Sequence, residues 1–95
     1  MPGKIVLLLV VFAIISPHQV MAECTREQKE AILVDCRKYL SRNARTIVAP
    51  KTWSHCCRNV RVVPNKDMEC IKRLRTTRDR MRFVETRIMN LAHLC

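Results

Sequence analysis

Six cysteines in 95 residues, spaced C-x11-C-x19-CC-x12-C-x24-C, limit what this chain can become more than any other feature. They are Cys24, Cys36, Cys56, Cys57, Cys70 and Cys95. An even number of thiols at such density in a short chain marks a disulfide scaffold made in an oxidising compartment. A chain of this size forms one small domain, without room for a large core or a deep enzymatic cleft. Cys56 and Cys57 are adjacent, and on a helix their side chains diverge by about 100°, so each must bond a different element. Excluding a bond between these two leaves many pairings open, and spacing alone goes no further.

An oxidising compartment requires export, and the N-terminus carries the means. Lys4 precedes an unbroken apolar run from Ile5 to Ile15, which Ser16, Pro17, His18 and Gln19 end at once. The run is too short for a membrane span, which takes about 20 apolar residues. Val20 and Ala22 stand at the −3 and −1 positions of a cleavage site before Glu23. The pattern predicts a signal peptide over residues 1–22 and a secreted, extracellular domain over 23–95. The only glycine, Gly3, leaves with the leader, so the mature chain has no glycine and only Pro50 and Pro64 as prolines. Poverty in turn formers points to an all-α domain.

The segment Thr25-Arg26-Glu27-Gln28 has capping-box spacing, in which the Thr25 and Gln28 side chains can satisfy free helix N–H groups. Behind it Ala31, Ile32, Leu33, Cys36, Tyr39 and Leu40 share one helical face, which predicts a helix over about 26–42. Ser41 to Ala49 reads as a loop. Pro50 is placed as the first residue of a second helix, with Trp53, Cys56, Cys57 and Val60 on its apolar side and a stop before Pro64. From Cys70 a 4-3-4-3 rhythm runs through Leu74, Thr77, Met81, Val84, Ile88 and Leu91 to Cys95. As one helix it would span about 40 Å, against a radius of gyration of about 11 Å for a domain of this size. A bend is therefore expected at Thr76 to Asp79, where two threonines favour local hydrogen bonds. The fold class is all-α: a small disulfide-stapled bundle of about four helices.

The formal charge is +10 for the chain, and +9 once Lys4 is removed. Arg73, Arg75, Arg78, Arg80 and Arg82 are the candidate anion-facing residues. Nucleic acid is not expected as a partner, because Tyr39, Trp53 and Phe83 are too few to form a stacking platform in an exported protein. Catalysis has no support either: His55 and His93, Ser41 and Ser54 form no recognisable nucleophile and base arrangement, and no carboxylate pair suggests itself. A metal site at His55, Cys56 and Cys57 is set aside in favour of disulfides. Neither an enzyme nor a cofactor is expected.

The cysteine order C, C, CC, C, C, Pro50 before the double cysteine, Val60 after it and Met68-Glu69-Cys70-Ile71-Lys72 together resemble the helical domain of plant lipid transfer proteins, trypsin/amylase inhibitors and seed storage albumins, the prolamin superfamily. Those families usually carry eight cysteines. In this resemblance Met68 takes the place of the fifth cysteine, and the chain ends before the eighth. Those two bond each other in the main lipid transfer group, so their joint loss strands no thiol. The resemblance then implies the pairs Cys24–Cys70, Cys36–Cys56 and Cys57–Cys95. The six-cysteine prolamin-like secreted proteins of plant reproductive tissue are the nearest other branch. Their usual Trp after the first cysteine and Cys-Trp-Pro element are here Thr25 and Cys70-Ile71-Lys72.

A monomer is expected, and the resemblance implies that it encloses a lipid or fatty acid in an internal apolar cavity. Leu33, Leu40, Val60, Val63, Leu74, Met81, Val84, Ile88 and Leu91 either line such a cavity or pack together as core. The alternatives are a secreted signalling ligand for a protein receptor in cell-cell communication or reproduction, and a membrane-active defence protein that turns Arg73 to Arg87 towards an anionic membrane surface. Protease or amylase inhibition is the weakest, since nothing singles out an inhibitory loop.

Overall fold

The computed structural model describes residues 24–95, so the expected signal peptide over 1–22 lies outside the described residues. Thr25 begins the first helix as the spacing predicts. Its Oγ1 accepts from the Gln28 backbone N–H at 3.1 Å and its own N–H donates to Gln28 Oε1 at 3.0 Å, the reciprocal pair of a capping box. Helix α1 covers Arg26–Asp35 and kinks at Cys36, after which α2 covers Arg37–Leu40. The two short helices stand where one helix to residue 42 was expected. Ile32, Leu33, Cys36, Tyr39 and Leu40 all point inward.

The second helix does not begin at Pro50. Ser54 is the N-cap of α3, which covers His55–Val62, because its hydroxyl can accept from the Cys57 N–H at 3.3 Å. Pro50 belongs instead to a long connection, and residues 51–54 form a tight turn in which the Lys51 carbonyl accepts from the Ser54 N–H at 3.0 Å and hydroxyl at 2.6 Å. Trp53 lies in that turn and is 72% exposed, so it is not on the apolar side of a helix. The stop before Pro64 is where expected: α3 ends at Val62, and Pro64–Lys66 forms a short 3-10 turn.

The C-terminal rhythm is broken twice. Helix α4 covers Met68–Arg73, α5 covers Thr77–Arg82 and α6 covers Glu85–Leu94. The first break falls just ahead of the expected bend, where Thr76 caps α5 in a second capping box, with Asp79 as its partner. The second, at Phe83 and Val84, was not signalled by glycine or proline. There the backbone leaves the helix to pair with the end of α2. Val84 N–H donates to the Leu40 carbonyl at 2.8 Å and Arg42 N–H to the Arg82 carbonyl at 2.9 Å, an antiparallel bridge at Ser41 and Phe83. Once the helix is interrupted its phase resets. Burial shifts to Asp79 and Phe83, while Leu74 and Met81, which the unbroken rhythm put inside, are exposed.

The six helices surround one core made of Ile32, Leu33, Leu40, Val60, Val63, Met68, Ile71, Phe83, Ile88 and Leu91, together with cysteines and Tyr39. Three disulfides close it. Cys24–Cys70 joins the start of α1 to α4, Cys36–Cys56 joins the α1–α2 kink to α3, and Cys57–Cys95 ties the chain end to α3, with Cα separations of 6.0, 4.8 and 4.9 Å. Helices α1 and α3 run antiparallel: near one end Gln28 Nε2 donates to the Val62 carbonyl at 3.4 Å, and near the other Asn59 donates to the Asp35 carboxylate.

Candidate functional site

The candidate lining residues separate into three groups. Leu33, Leu40, Val60, Val63, Ile88 and Leu91 are at most 4% exposed and belong to the packed core. Val84 is half-buried at the second helix break. Leu74 and Met81 face solvent, for the phase reason above. The core residues touch one another, and the recesses described below lie outside them.

An open, largely apolar recess lies beside the Cys36–Cys56 disulfide. Cys36, Tyr39 and Cys56 form its floor; Val48, Ala49 and Pro50 of the long connection form its wall; Asp35, Lys38, Lys51 and Ser54 stand around the mouth. It holds about 290 Å³ and opens to solvent. The local sequence explains why the wall exists. Pro50 fixes its own φ and biases Ala49 towards extended backbone, so Val48 to Pro50 runs as an apolar strip rather than a helical turn. The disulfide then holds the α1–α2 kink at the distance that leaves a slot beneath this strip. A shallower recess continues on the other side of Lys38 and Val48, lined by Arg37, Ser41, Asn43, Ala44, Arg45 and Thr46.

The arginines expected to face an anion are not equally free. Arg75 has a 6% exposed side chain and is committed internally: Nη2 donates to Glu85 Oε1 at 2.8 Å and Nε to the Lys72 carbonyl at 2.9 Å. Arg82 lies over the Phe83 ring at 5.4 Å. Arg73, Arg78 and Arg80 are exposed. Arg87 reaches back to the carbonyls of Tyr39 and Ser41, at 3.3 and 3.0 Å.

One charged pair escaped the reading of the sequence. Lys29, 3% exposed, places Nζ 2.9 Å from Asp79 Oδ2 and 2.8 Å from Glu30 Oε2, and Asp79 is itself 8% exposed. Burial lowers the Lys29 pKa, but its bonds to Glu30 and Asp79 outweigh that and hold it above 10.5. Burial likewise raises Asp79, whereas the Thr76 backbone N–H and Lys29 pull it below 3.8, and the second effect wins. The readable half of this site was Thr76-x-x-Asp79, a capping-box spacing. Its salt partner lies 50 residues away in sequence.

His55 is exposed at the start of α3, His93 is exposed near the end of α6, and Ser54 serves as a helix cap. Among the described residues no group of three or more His, Cys, Asp or Glu side chains is placed to hold a metal ion.

Fold and groove define a class: a small helical domain stapled by three disulfides, with an open apolar slot rimmed by lysines. The chain belongs to the probable lipid transfer family, whose model matches residues 5–95. This agrees with the resemblance carried by the cysteine order and by Met68 to Lys72. Comparison with curated proteins and with solved structures gives no match.

Proposed function

We propose that the mature domain is a secreted, monomeric, non-catalytic lipid-binding protein whose acyl chain lies in the groove of Tyr39, Val48, Ala49 and Pro50. Family membership supports lipid as the ligand class. The observation that supports the choice of site is the contrast between the buried core side chains and the open slot. Leu40, Val60, Ile88 and Leu91 are fully buried against one another, whereas Val48 is 55% exposed above an apolar floor. Its volume of about 290 Å³ meets the lower edge of ligand pockets, about 300 Å³, so it takes part of an acyl chain and leaves the rest at the mouth. Lys38 and Lys51 there suit a phosphate or carboxylate head.

Refolded protein with its three disulfides, mixed with a fluorescent fatty acid and no vesicles, is expected to show saturable uptake that survives high salt. Ala49→Trp fills the slot and should weaken uptake at least about tenfold, which is about 1.4 kcal/mol. Ile88→Val, which trims the core, should leave uptake unchanged although it lowers stability by about 1 kcal/mol. No uptake by the parent protein refutes the reading, and sensitivity to Ile88→Val with indifference to Ala49→Trp moves the ligand into the core.

Export is proposed on the Lys4 to Ala22 pattern, which the family match enters at residue 5. The intact mass of protein collected outside expressing cells should correspond to a chain that begins at Glu23 with six oxidised cysteines. A chain retaining Ile5 to Ile15 would contradict this.

A further inference from the structure

Between Asp35 and Asp67 the chain has no acidic residue, yet it carries Arg37, Lys38, Arg42, Arg45, Lys51, Arg58, Arg61 and Lys66. No other stretch of the mature chain is so uniform in sign. Three of its large exposed apolar side chains fall within seven residues of sequence: Ile47 and Val48, each 55% exposed, and Trp53, 72% exposed. Nothing among the described residues covers them. Trp53 is held outward, since the turn closed by Ser54 on Lys51 fixes its backbone and the Arg61 guanidinium donates to the Thr52 carbonyl at 2.7 Å.

The cations beside these side chains are available. Arg37, Lys38, Arg45 and Lys51 make no ion pair among the described residues, and Arg37, Lys38, Arg45 and Val48 share the wall of one shallow recess. The arginine-rich helices also keep exposed cations, Arg73, Arg78 and Arg80, but they are mixed in sign and partly committed. Asp79 and Glu85 lie among their cations, and Arg75 and Arg87 are used inside the fold.

We propose that the acid-free segment, through Ile47, Val48 and Trp53, docks on an anionic bilayer surface. An indole and two aliphatic side chains match the boundary between headgroups and acyl chains, where tryptophan is enriched. The surrounding lysines and arginines match a negative surface potential, which attracts each nearby cation. A second copy of the chain would instead bring cations against cations. The surface shares Val48 and Lys51 with the acyl groove, but Ile47 and Trp53 do not line it and so report on docking separately.

Trp53 is the only tryptophan, so its emission reports the docking directly. Refolded protein should show a blue-shifted Trp53 emission and co-sediment with phosphatidylcholine vesicles containing phosphatidylserine, and do so far more weakly with phosphatidylcholine alone. Ile47→Asp and the pair Arg45→Glu/Lys51→Glu should each weaken binding at least about tenfold. Met81→Asp, on the arginine-rich α5, should bind like the parent. Ile47→Asp should still take up fatty acid without vesicles, which separates failure of this surface from failure of the groove. The proposal is overturned if Met81→Asp, and not Ile47→Asp, loses binding. It is also overturned if sedimentation occurs without an emission change and disappears with salt, as for a polyanion such as heparin.

Discussion

Replacing Cys57 and Cys95 together by alanine should leave a chain that is largely unfolded at 37 °C. The disulfide closes a loop of 38 residues, and in the chain-entropy description such a loop contributes about 4 kcal/mol. A core this small supplies about 3–5 kcal/mol by itself, so the loss is comparable to the whole stability. Geometry adds to the effect. Cys57 is fully buried in α3, and its bond anchors the end of α6, the helix that delivers Ile88 and Leu91 to the core. The expected fall in melting temperature is more than about 15 °C, read by far-ultraviolet circular dichroism. A fall of only a few degrees would show that packing of α6 holds without the cross-link. The pair Cys36–Cys56, with a separation of 20 residues, should cost less, about 3 kcal/mol, but should deform the groove it borders.

Asp79→Asn should lower stability by about 3 kcal/mol, because it leaves the buried Lys29 ammonium with only the half-exposed Glu30 as a charged partner. Asparagine can still cap α5 towards the Thr76 N–H, so the cost reports the ion pair rather than the cap. Lys29→Met should cost less, since Asp79 keeps its bond from Thr76. The double variant should cost less than the two single changes added together. Denaturant titration at neutral pH measures all three, and a loss below about 1 kcal/mol in Asp79→Asn would contradict the argument. The pair also sets a pH dependence with two limbs. Asp79 titrates below 3.8 when folded, so its contribution is present above that value and is lost as pH falls through the folded pKa. Lys29 titrates above 10.5 when folded, so its contribution is full below 10.5 and is lost as pH rises through the folded pKa. Between those limits this pair makes stability flat, and Asp79→Asn should reduce the acid limb.

The legible parts of the molecule were those governed by neighbours in sequence. Thr25 and Gln28 cap α1, the face from Ile32 to Leu40 is buried, and Pro64 ends α3, each through contacts made within one or two helical turns. Pro50 misled because two start signals competed. Its ring permits a first helical turn, but the Ser54 hydroxyl can satisfy a free N–H group, and the helix begins there. The candidate site was legible only in composition. Val48, Ala49 and Pro50 are visibly apolar, yet nothing local says that the Cys36–Cys56 bond places them over Tyr39.

By itself the sequence determined an all-helical domain cross-linked through six cysteines, the start of its first helix, the burial of one face of that helix and the end of α3. Capping and periodicity act over a few residues and so are written in order along the chain. The tertiary structure alone decided where the last stretch breaks a second time, which arginines stay free and which acid Lys29 meets. Each of these depends on a partner distant in sequence: Leu40 draws Val84 out of helical pairing, Glu85 and the Lys72 carbonyl occupy Arg75, and Asp79 reaches Lys29 across 50 residues.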